Sequence, residues 1–329
     1  MIVYLEKRAK SYPQTARILE KLDSCEVIEI SNYKNIFDKK ISFKTEKCII
    51  LAVATWELVS DSPKGYSKYD HAYFFKNAIN CTYDCKYCYL KWAFKNQFQV
   101  FFVNSDDIKL AIENKVKSVR ESGYTWTIMF YASDQTDNIA SDRLTWFISE
   151  FVPFFEKFDD VQMEIRTKSS DINNILDLWF VPINTEFAFS LNPESVISQI
   201  EIWTASLKDR LNAVNNLISA WFKVWIRFLP ILPIKWSFPL YEELINKVIN
   251  DIDLQKLSSI EAGSLLYTRD DYKSLLKKQP MERYLYMLWS EDGTYIRASI
   301  DFRIKMYRLF SSTFGQFHIT LDELWKESF

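Results

Sequence analysis

Between residues 72 and 266, segments typical of β-strands alternate with segments typical of α-helices, and this alternation constrains the fold more than any other feature. Short apolar runs suit buried strands, and the longer segments between them carry apolar residues at helical spacing. Repeated strand–helix units predict a parallel sheet with helices packed outside it. The predicted strands are 72–75, 125–131, 161–167, 186–191, 224–231 and 258–266, and the predicted helices are 106–119, 141–155, 172–178, 207–220 and 240–249. About six such units predict an α/β fold, a partial (β/α)6 TIM-like barrel.

Two flanking regions are predicted to lie outside the barrel. The N-terminal part has its own short helix and apolar strands, and the turn-rich stretch 60–65 gives the best boundary. Near the C-terminus, Ser290-Glu291-Asp292-Gly293 separates two aromatic-rich segments, which predicts a hairpin at 284–297 followed by a helix at 301–310. The predicted domains are an α/β extension at 1–65, the barrel at 66–266 and a hairpin and helix region at 267–329.

Three cysteines stand close together in Cys81-Thr82-Tyr83-Asp84-Cys85-Lys86-Tyr87-Cys88-Tyr89-Leu90, at C-x3-C-x2-C spacing. Three thiolates on one short loop can bind three irons of a cubic 4Fe–4S cluster and leave the fourth iron open for a small ligand. The loop follows the first barrel strand, and reactive groups of barrels gather at the C-terminal ends of strands. We therefore predict that Cys81, Cys85 and Cys88 bind such a cluster. Two alternatives stay open, a zinc bound with His71 at an unusual spacing and a disulfide in an oxidising compartment.

Charge and cysteine usage limit the partners and the compartment. The formal net charge is −2, so the basic excess of a wholesale nucleic-acid binder is absent. Between residues 267 and 308, nine Lys or Arg stand against six Asp or Glu, and a solvated face is the simpler explanation of that surplus. The most apolar run, 221–236, contains three basic residues and is too short to span a bilayer. With five cysteines, three of them clustered, and no apolar signal core at the N-terminus, we expect a cytoplasmic protein without a membrane partner.

A series of motifs in a fixed order, from about residue 73 to residue 233, resembles the spore photoproduct lyase family of radical S-adenosylmethionine (SAM) enzymes. The motifs that carry the resemblance are Cys81, Cys85 and Cys88 with Tyr87 and Tyr89, then Phe130-Tyr131-Ala132-Ser133-Asp134-Gln135-Thr136-Asp137, Arg166-Thr167-Lys168, Phe189-Ser190-Leu191-Asn192-Pro193 and Arg227-Phe228-Leu229-Pro230-Ile231. The resemblance implies a barrel of the radical SAM type, SAM bound at the open iron of the cluster, and a reducing electron donor such as flavodoxin or ferredoxin. In that family an electron from the cluster cleaves SAM to methionine and a 5′-deoxyadenosyl radical, which abstracts a hydrogen atom from the substrate. For spore photoproduct lyase that substrate is a methylene-bridged thymine dimer in DNA.

The resemblance also assigns roles to individual residues. It implies that Lys168, Ser190 and Asn192 contact SAM and that Asp137 holds its amino group. Each has a simpler explanation: a solvated charge for Lys168, turn caps for Ser190 and Asn192, and a helix N-terminal acid for Asp137.

Three further residues are candidates for the chemistry itself. Tyr87 and Tyr89 flank the last cysteine, and the resemblance makes them SAM-adjacent or radical-relay tyrosines; packing against the cluster explains them equally well. The repair enzymes have a cysteine just after the second strand, which returns a hydrogen atom to the substrate radical, and Asp134 stands at that place here. A carboxylic O–H bond is too strong for this task. We therefore expect quenching through a tyrosine, return of the hydrogen from 5′-deoxyadenosine, or a different target.

Tryptophan is unusually frequent and glycine unusually rare. The chain has 11 Trp and 5 Gly among 329 residues, whereas glycine typically makes up about 7% of a protein. Trp221 follows a predicted helix at the position that favours left-handed backbone. Trp92, Trp203 and Trp225 stand where the resemblance suggests glycine. One hypothesis is that some UGA codons specify glycine at these positions; the alternative is a truly tryptophan-rich chain.

Three functions from different classes follow. The leading one is a lyase-like reaction on a DNA photoproduct or related nucleic-acid target, for which a duplex would have to present its base flipped out, with the C-terminal hairpin as a candidate wedge. The second is radical modification of a peptide or protein. The third is a non-catalytic metal-binding module.

Overall fold

The chain is described by a computed structural model covering residues 1–38, 48–55, 57–63, 66–132, 134–288, 295–315 and 319–321, the last of these as backbone. It divides into two compact units. The first unit contains Met1–Thr82, Ala93–Thr167 and Asp171–Glu186, and the second contains Tyr83–Trp92, Lys168–Ser170 and Phe187–Phe329. In the described ranges, no helix is both long and apolar enough to cross a membrane.

Strands and helices alternate along most of the described chain. The strands are β1 (Ile2–Glu6), β2 (Glu26–Ile30), β3 (Cys48–Ala52), β4 (Val59–Asp61), β5 (Ala72–Phe75), β6 (Ala78–Ile79), β7 (Asp84–Cys85), β8 (Gln99–Phe102), β9 (Ile128–Tyr131), β10 (Val161–Thr167), β11 (Thr185–Ser190), β12 (Glu201–Ile202), β13 (Val224–Ile231), β14 (Ser259–Ser264), β15 (Leu266–Thr268), β16 (Tyr295–Arg297) and β17 (Ile319–Leu321). The α-helices are α1 (Pro13–Lys21), α2 (Lys34–Phe37), α3 (Leu90–Ala93), α4 (Ser105–Glu121), α5 (Asn138–Thr145), α6 (Phe147–Phe155), α7 (Asn173–Leu176), α8 (Glu194–Gln199), α9 (Leu207–Ser219), α10 (Ser237–Asp251), α11 (Arg269–Lys278) and α12 (Ile300–Phe314).

Side-chain caps fix where several helices begin. Asp137, Ser206, Thr268 and Ser299 precede α5, α9, α11 and α12, and each accepts a hydrogen bond from a backbone N–H in the first turn. Such caps satisfy donors that have no partner inside the helix. The polar residues between the apolar segments therefore set the boundaries of these elements.

The N-terminal sheet lies in the first unit and has the strand order β2-β1-β3-β8-β6. Its pairs are parallel except for β6, which runs antiparallel to β8. Alternate residues of β1 point to opposite faces, so Val3 and Leu5 belong to one apolar cluster and Tyr4 to another. The sheet uses β8, at residues 99–102, so the N-terminal α/β region extends past residue 65. The predicted three-domain division differs from the two compact units and stays a prediction.

Each unit also contains three strands of the predicted barrel series and one neighbouring strand that was not predicted. In the first unit, β5 pairs in parallel with β9 and β9 with β10, and β4 lies antiparallel at the edge of β5. In the second unit, β11, β13, β14 and β17 pair in parallel, in that order. The predicted α/β class with parallel strands is confirmed.

Two predicted elements differ in the structure. The predicted helix 141–155 is two helices, α5 and α6, separated at Trp146, whose backbone is left-handed. The predicted hairpin at 284–297 does not pair with itself: Arg283–Met287 is a 3-10 helix, and β16 pairs antiparallel with β15. The turn 290–293 lies outside the described residues. Because the first arm is not a strand, the idea of a hairpin wedge loses its structural basis.

Among the tryptophans that the structure describes, four have left-handed backbone. The φ angle is 53° at Trp146, 67° at Trp203, 66° at Trp221 and 67° at Trp236. Positive φ is a true outlier for a bulky residue. The structure thus gives a backbone reason for glycine at Trp203 and Trp221. It gives none at Trp92, in α3, or at Trp225, in β13.

Candidate active site around the cysteine loop

The cysteine loop is held by a short antiparallel ladder in the second unit. Cys85, in β7, is the register partner of Glu201 in β12, and Lys86 N–H donates to the Ile200 carbonyl at 2.9 Å. Cys88 N–H donates to the Cys85 carbonyl at 3.1 Å and closes a turn between the two cysteines. These backbone bonds fix the segment from Cys85 to Cys88 against β12.

An apolar cluster of the second unit packs beneath this segment. Cys85 and Tyr87 lie in it together with Leu232, Tyr267 and Leu285. The Tyr267 hydroxyl donates to the Tyr87 carbonyl at 2.9 Å. Burial raises the pKa of Tyr267 far above its ordinary value, so the hydroxyl keeps the proton that it donates.

A buried polar network begins at Tyr87. Its hydroxyl donates to Glu201 Oε1 at 2.5 Å, and Asn192 Nδ2 donates to the same oxygen at 2.8 Å. Glu201 Oε2 lies 2.7 Å from Arg210 Nη2 and forms an ion pair with it. Tyr241 donates its hydroxyl proton to Asn192 Oδ1 at 2.8 Å. The network thus links the residue between two cysteines to the loop after β11.

Burial and charge together raise the pKa of Tyr87, but they oppose each other at Glu201. Burial and the nearby Glu201 carboxylate raise the pKa of Tyr87 well above its ordinary value. Burial alone would raise the pKa of Glu201, but Arg210 and then Lys168 outweigh it and lower that pKa. Glu201 is therefore an anion and Tyr87 a neutral phenol. This is the protonation pattern that a phenol-to-carboxylate hydrogen bond requires.

The predicted SAM contacts near β11 lie inside this network. Ser190 ends β11, and its carbonyl accepts from Arg210 Nη1 at 2.8 Å. Asn192 lies beyond the strand end and is fully buried, with both ends of its amide hydrogen-bonded. Lys168 is half-buried, with Nζ 5.8 Å from the centre of the Tyr87 ring. The structure brings these residues together with Tyr87, and their contact with SAM stays a prediction.

Asp137 lies in the first unit and caps a helix. Its Oδ1 accepts from Ala140 N–H at 3.0 Å, at the start of α5. Thr167, the last residue of β10, donates its hydroxyl to Asp137 Oδ1 at 2.8 Å. These contacts agree with the simpler explanation, in which Asp137 is an acid at the N-terminus of a helix. A role in holding the SAM amino group stays a prediction.

Two other candidates, Asp134 and Tyr89, are more accessible. Asp134 is half-buried in the loop after β9, as the sequence predicts. Tyr89 is exposed over 37% of its surface, and its ring centre lies 6.4 Å from that of Trp92. Of the two tyrosines next to Cys88, the one after it is thus open to solvent and the one before it is buried.

The three thiols have the right chemistry for iron. Thiolates are the usual ligands of iron–sulfur clusters. None of the five cysteines, all within described ranges, is in a disulfide. Among the described residues, no three His, Cys, Asp or Glu side chains are grouped as metal ligands. The cluster site at Cys81, Cys85 and Cys88 stays a prediction.

A cavity in the first unit is not part of this arrangement. Its volume is about 300 Å³, and it is lined by Lys21, Arg143, Trp146, Asn173 and Asn174. None of these is a predicted site residue.

The family model for spore photoproduct lyase matches residues 1–287. The chain belongs to the spore photoproduct lyase family. It is therefore an enzyme of the radical SAM lyase class. A spore photoproduct lyase from Geobacillus sp. (strain Y412MC61) is 26% identical over 269 residues, which are 78% of this chain and 76% of the relative. The spore photoproduct lyase of Clostridium acetobutylicum is 25% identical over 285 residues, or 84% and 82% of the two chains.

Solved spore photoproduct lyases have the same fold. A cysteine-to-alanine variant matches with a TM-score of 0.81 at 22% identity, over 98% of this chain and 97% of the other. Another variant, with bound AdoMet and dinucleoside spore photoproduct, matches with a TM-score of 0.79 at 21% identity, over 97% of each chain. The partial barrel of the radical SAM type, predicted from the sequence, is thereby confirmed.

Sequence reasoning missed Glu201, Arg210 and Tyr241. Glu201 stands between Ile200 and Ile202, and Arg210 lies on the apolar face of α9 beside Leu211. A charge inside an apolar pattern is a signal of a buried ion pair. The pairing of Glu201 with Arg210 could not be predicted from the sequence, because the two residues meet only in the folded chain.

Proposed function

We propose that this chain uses a 4Fe–4S cluster, bound by Cys81, Cys85 and Cys88, to cleave SAM, and that it acts on a DNA photoproduct or a closely related nucleic-acid target. The observation that carries the proposal is the three-cysteine loop in a chain that matches the family over residues 1–287. Solved spore photoproduct lyases of this fold hold a dinucleoside spore photoproduct, in one case together with AdoMet. The electron donor would be a small reducing protein such as flavodoxin or ferredoxin.

When bound, the cluster supplies one electron for the reductive cleavage of SAM; the chain contributes orientation and shielding. Lys168 places a positive charge near Tyr87, which suits the methionine carboxylate of SAM. Asn192 is bonded on both sides, which favours an indirect role in which it holds the loop after β11. Asp137, Ser190 and Lys168 remain the proposed contacts to SAM.

The hydrogen atom that ends the reaction needs a donor other than Asp134. Tyr87 is buried and its hydroxyl is committed to Glu201. Tyr89 is exposed and is the better candidate to reach a substrate radical. We propose Tyr89 as the donor, with 5′-deoxyadenosine as the alternative.

The deciding experiment uses the anaerobically reconstituted chain with dithionite and SAM, with and without dinucleoside spore photoproduct. We expect 5′-deoxyadenosine in both samples and repaired dinucleotide in the second. Absence of 5′-deoxyadenosine from a protein that has bound its cluster would contradict the radical chemistry. Formation of 5′-deoxyadenosine without repair would contradict the substrate. Binding to irradiated DNA should weaken with salt, because phosphate contacts release counterions.

The variant Asp134→Cys tests the position of the missing donor. If Asp134 occupies the place of the family's cysteine, the new thiol should raise the ratio of repaired dinucleotide to 5′-deoxyadenosine. Asp159→Cys, at a turn of the first unit, is the matched control and should leave that ratio unchanged. An unchanged ratio in Asp134→Cys would show that the loop after β9 does not face the substrate radical.

A further inference from the structure

Glu201 and Arg210 form an ion pair in which both side chains are completely buried. Removing two charges from water is costly, and an apolar pair of the same size often serves stability as well or better. The pair also has no assigned part in binding SAM or substrate. Its position therefore suggests that it holds another group in place.

Glu201 contacts the cysteine loop through both its backbone and its side chain. Its backbone pairs with Cys85 across the β7–β12 ladder. Its carboxylate accepts the Tyr87 hydroxyl proton at 2.5 Å. A single residue thus fixes the chain at Cys85 and again two residues later.

Arg210 in turn fixes Glu201 and the turn that follows it. Its Nη2 donates to Thr204 Oγ1 at 2.6 Å, and Nε donates to the Ala205 carbonyl at 2.9 Å. Its Nη1 reaches the Ser190 carbonyl at the end of β11. The guanidinium therefore joins β11, the 201–204 turn and the cysteine loop in one hydrogen-bonded assembly.

We propose that Glu201, held by Arg210, is a positioning residue that fixes Tyr87 and thereby the Cys85–Cys88 segment in the arrangement that receives the cluster. The inference rests on the proposed function, because it concerns how the chain holds the cluster proposed there. Ligand-orienting partners of this kind typically change metal affinity by about 10–100-fold when they are removed.

Three variants separate positioning from folding. Glu201→Gln keeps the shape of the side chain but leaves Arg210 without a charge partner. The double variant Glu201→Gln/Arg210→Gln is therefore included, because it removes both charges together. Tyr87→Phe leaves the ion pair intact and removes just the hydroxyl contact. The matched control is Glu150→Gln, which breaks an ion pair with Lys109 at 2.7 Å in the first unit.

The measurements are iron retained per folded chain against a chelator, and the electron paramagnetic resonance spectrum of the reduced cluster with and without SAM. The chelator concentration that removes half of the iron should fall about tenfold in the Glu201 variants, by less in Tyr87→Phe, and not at all in Glu150→Gln. Iron retention and spectra equal to wild type in any folded Glu201 variant and in Tyr87→Phe would overturn the positioning role. If wild type takes up no cluster, the proposed function fails, and the inference fails with it.

A separate observation concerns three tryptophans, Trp203, Trp221 and Trp236. All three have positive φ and an exposed side chain. The exposed fraction is 74% for Trp203, 80% for Trp221 and 68% for Trp236. Left-handed backbone pushes the Cβ of an L-residue against the following carbonyl, and glycine avoids this conflict. An exposed indole gains little burial in return.

The local geometry at Trp221 is that of a glycine-ended helix. Trp221 N–H donates to the Ile218 carbonyl at 3.2 Å, and Phe222 N–H donates to the Leu217 carbonyl at 3.0 Å. This pair of bonds is the Schellman motif, whose left-handed position is usually glycine. At Trp203, Thr204 N–H donates to the Glu201 carbonyl at 3.3 Å, and a turn with positive φ at its third residue also favours glycine.

We infer that residues 203, 221 and 236 are glycine in the protein that its own organism makes, through UGA codons decoded as glycine. The inference does not depend on the proposed function. Trp146 has the same backbone, but Arg17 lies 4.3 Å from its ring centre, so the indole has a partner and this site is not included. Trp92 and Trp225, suspected from the sequence, lack positive φ and are not included either.

Codons and peptide masses decide the question directly. We expect UGA at all three positions and native peptides that carry the mass of glycine there; UGG codons there, or native peptides with tryptophan, would overturn the inference. In recombinant protein that contains tryptophan, Trp221→Gly should raise Tm by about 2 °C over Trp221→Ala, because both remove the indole and only glycine relieves the backbone. Trp126, whose side chain is also exposed, at 74%, but which lacks positive φ, is the control, and its glycine variant should not exceed its alanine variant in Tm.

Discussion

In the first unit, the buried carboxylate of Asp142 accepts hydrogen bonds from neutral groups, Ile148 N–H at 2.8 Å and Asn174 Nδ2 at 2.5 Å. In the second unit, the buried carboxylate of Glu201 faces Arg210. Burial raises the pKa of Asp142, whereas at Glu201 the cations overcome burial and lower it. The first arrangement ties α5 to α6 and α7; the second pairs the Glu201 carboxylate with Arg210 beside the cysteine loop. The contrast agrees with the positioning role proposed for Glu201.

The largest expected effect tests whether the iron ligands are cysteines of the cysteine loop and not those of the N-terminal sheet. Cys88→Ala removes one of three proposed iron ligands, so cluster iron and 5′-deoxyadenosine formation should both fall below detection after reconstitution. Cys48→Ala, in β3 of the N-terminal sheet, is the control and should keep both. Iron content equal to wild type in Cys88→Ala would remove the basis of the proposed cluster site.

The next effect concerns stability and compares two buried glutamates. Glu201→Gln leaves Arg210 without its charge partner in the interior, so the free energy of unfolding should fall by about 4 kcal/mol. Glu6, in the N-terminal sheet, accepts from Val53 N–H at 2.9 Å and pairs with Arg8, whose side chain is 48% exposed. Because water can solvate Arg8, Glu6→Gln should cost about 1–2 kcal/mol. Urea unfolding of the two variants measures both, and equal losses would contradict the distinction between the units.

The same contrast shows what the sequence can predict. The observed bounds of strands β5, β10 and β13 coincide with the predicted ones, because apolar runs bounded by polar turns report burial directly. The cysteine spacing likewise predicted the loop as the candidate site. The partners of Tyr87 could not be predicted, because Glu201 and Arg210 are more than a hundred residues away in sequence and meet through packing. The break at Trp146 was also missed, because periodicity cannot reveal left-handed backbone at a residue that rarely adopts it.

A third prediction separates packing from site integrity. Leu51 is completely buried in the N-terminal sheet, so Leu51→Ala should lower the free energy of unfolding by about 3 kcal/mol through the cavity that it leaves. Iron retained per folded chain should not change, in contrast to Glu201→Gln. Urea unfolding and the chelator titration, run on the same preparation, provide the two readouts. Loss of iron from folded Leu51→Ala would show that the N-terminal sheet also supports the site.

The smallest expected effect is the opposite pH dependence of the two carboxylates. Because folding raises the pKa of Asp142, its stabilising contribution is complete below the ordinary value of 3.8 and is lost as pH rises through the raised value. Asp142→Asn stays neutral, so the stability of wild type relative to this variant should fall as pH rises through that range. Folding lowers the pKa of Glu201, so wild type should gain stability relative to Glu201→Gln as pH rises toward the ordinary glutamate value. Urea unfolding of both variants and wild type across this acidic range measures the two slopes. Slopes of the same sign would show that the two units do not differ in how they bury charge.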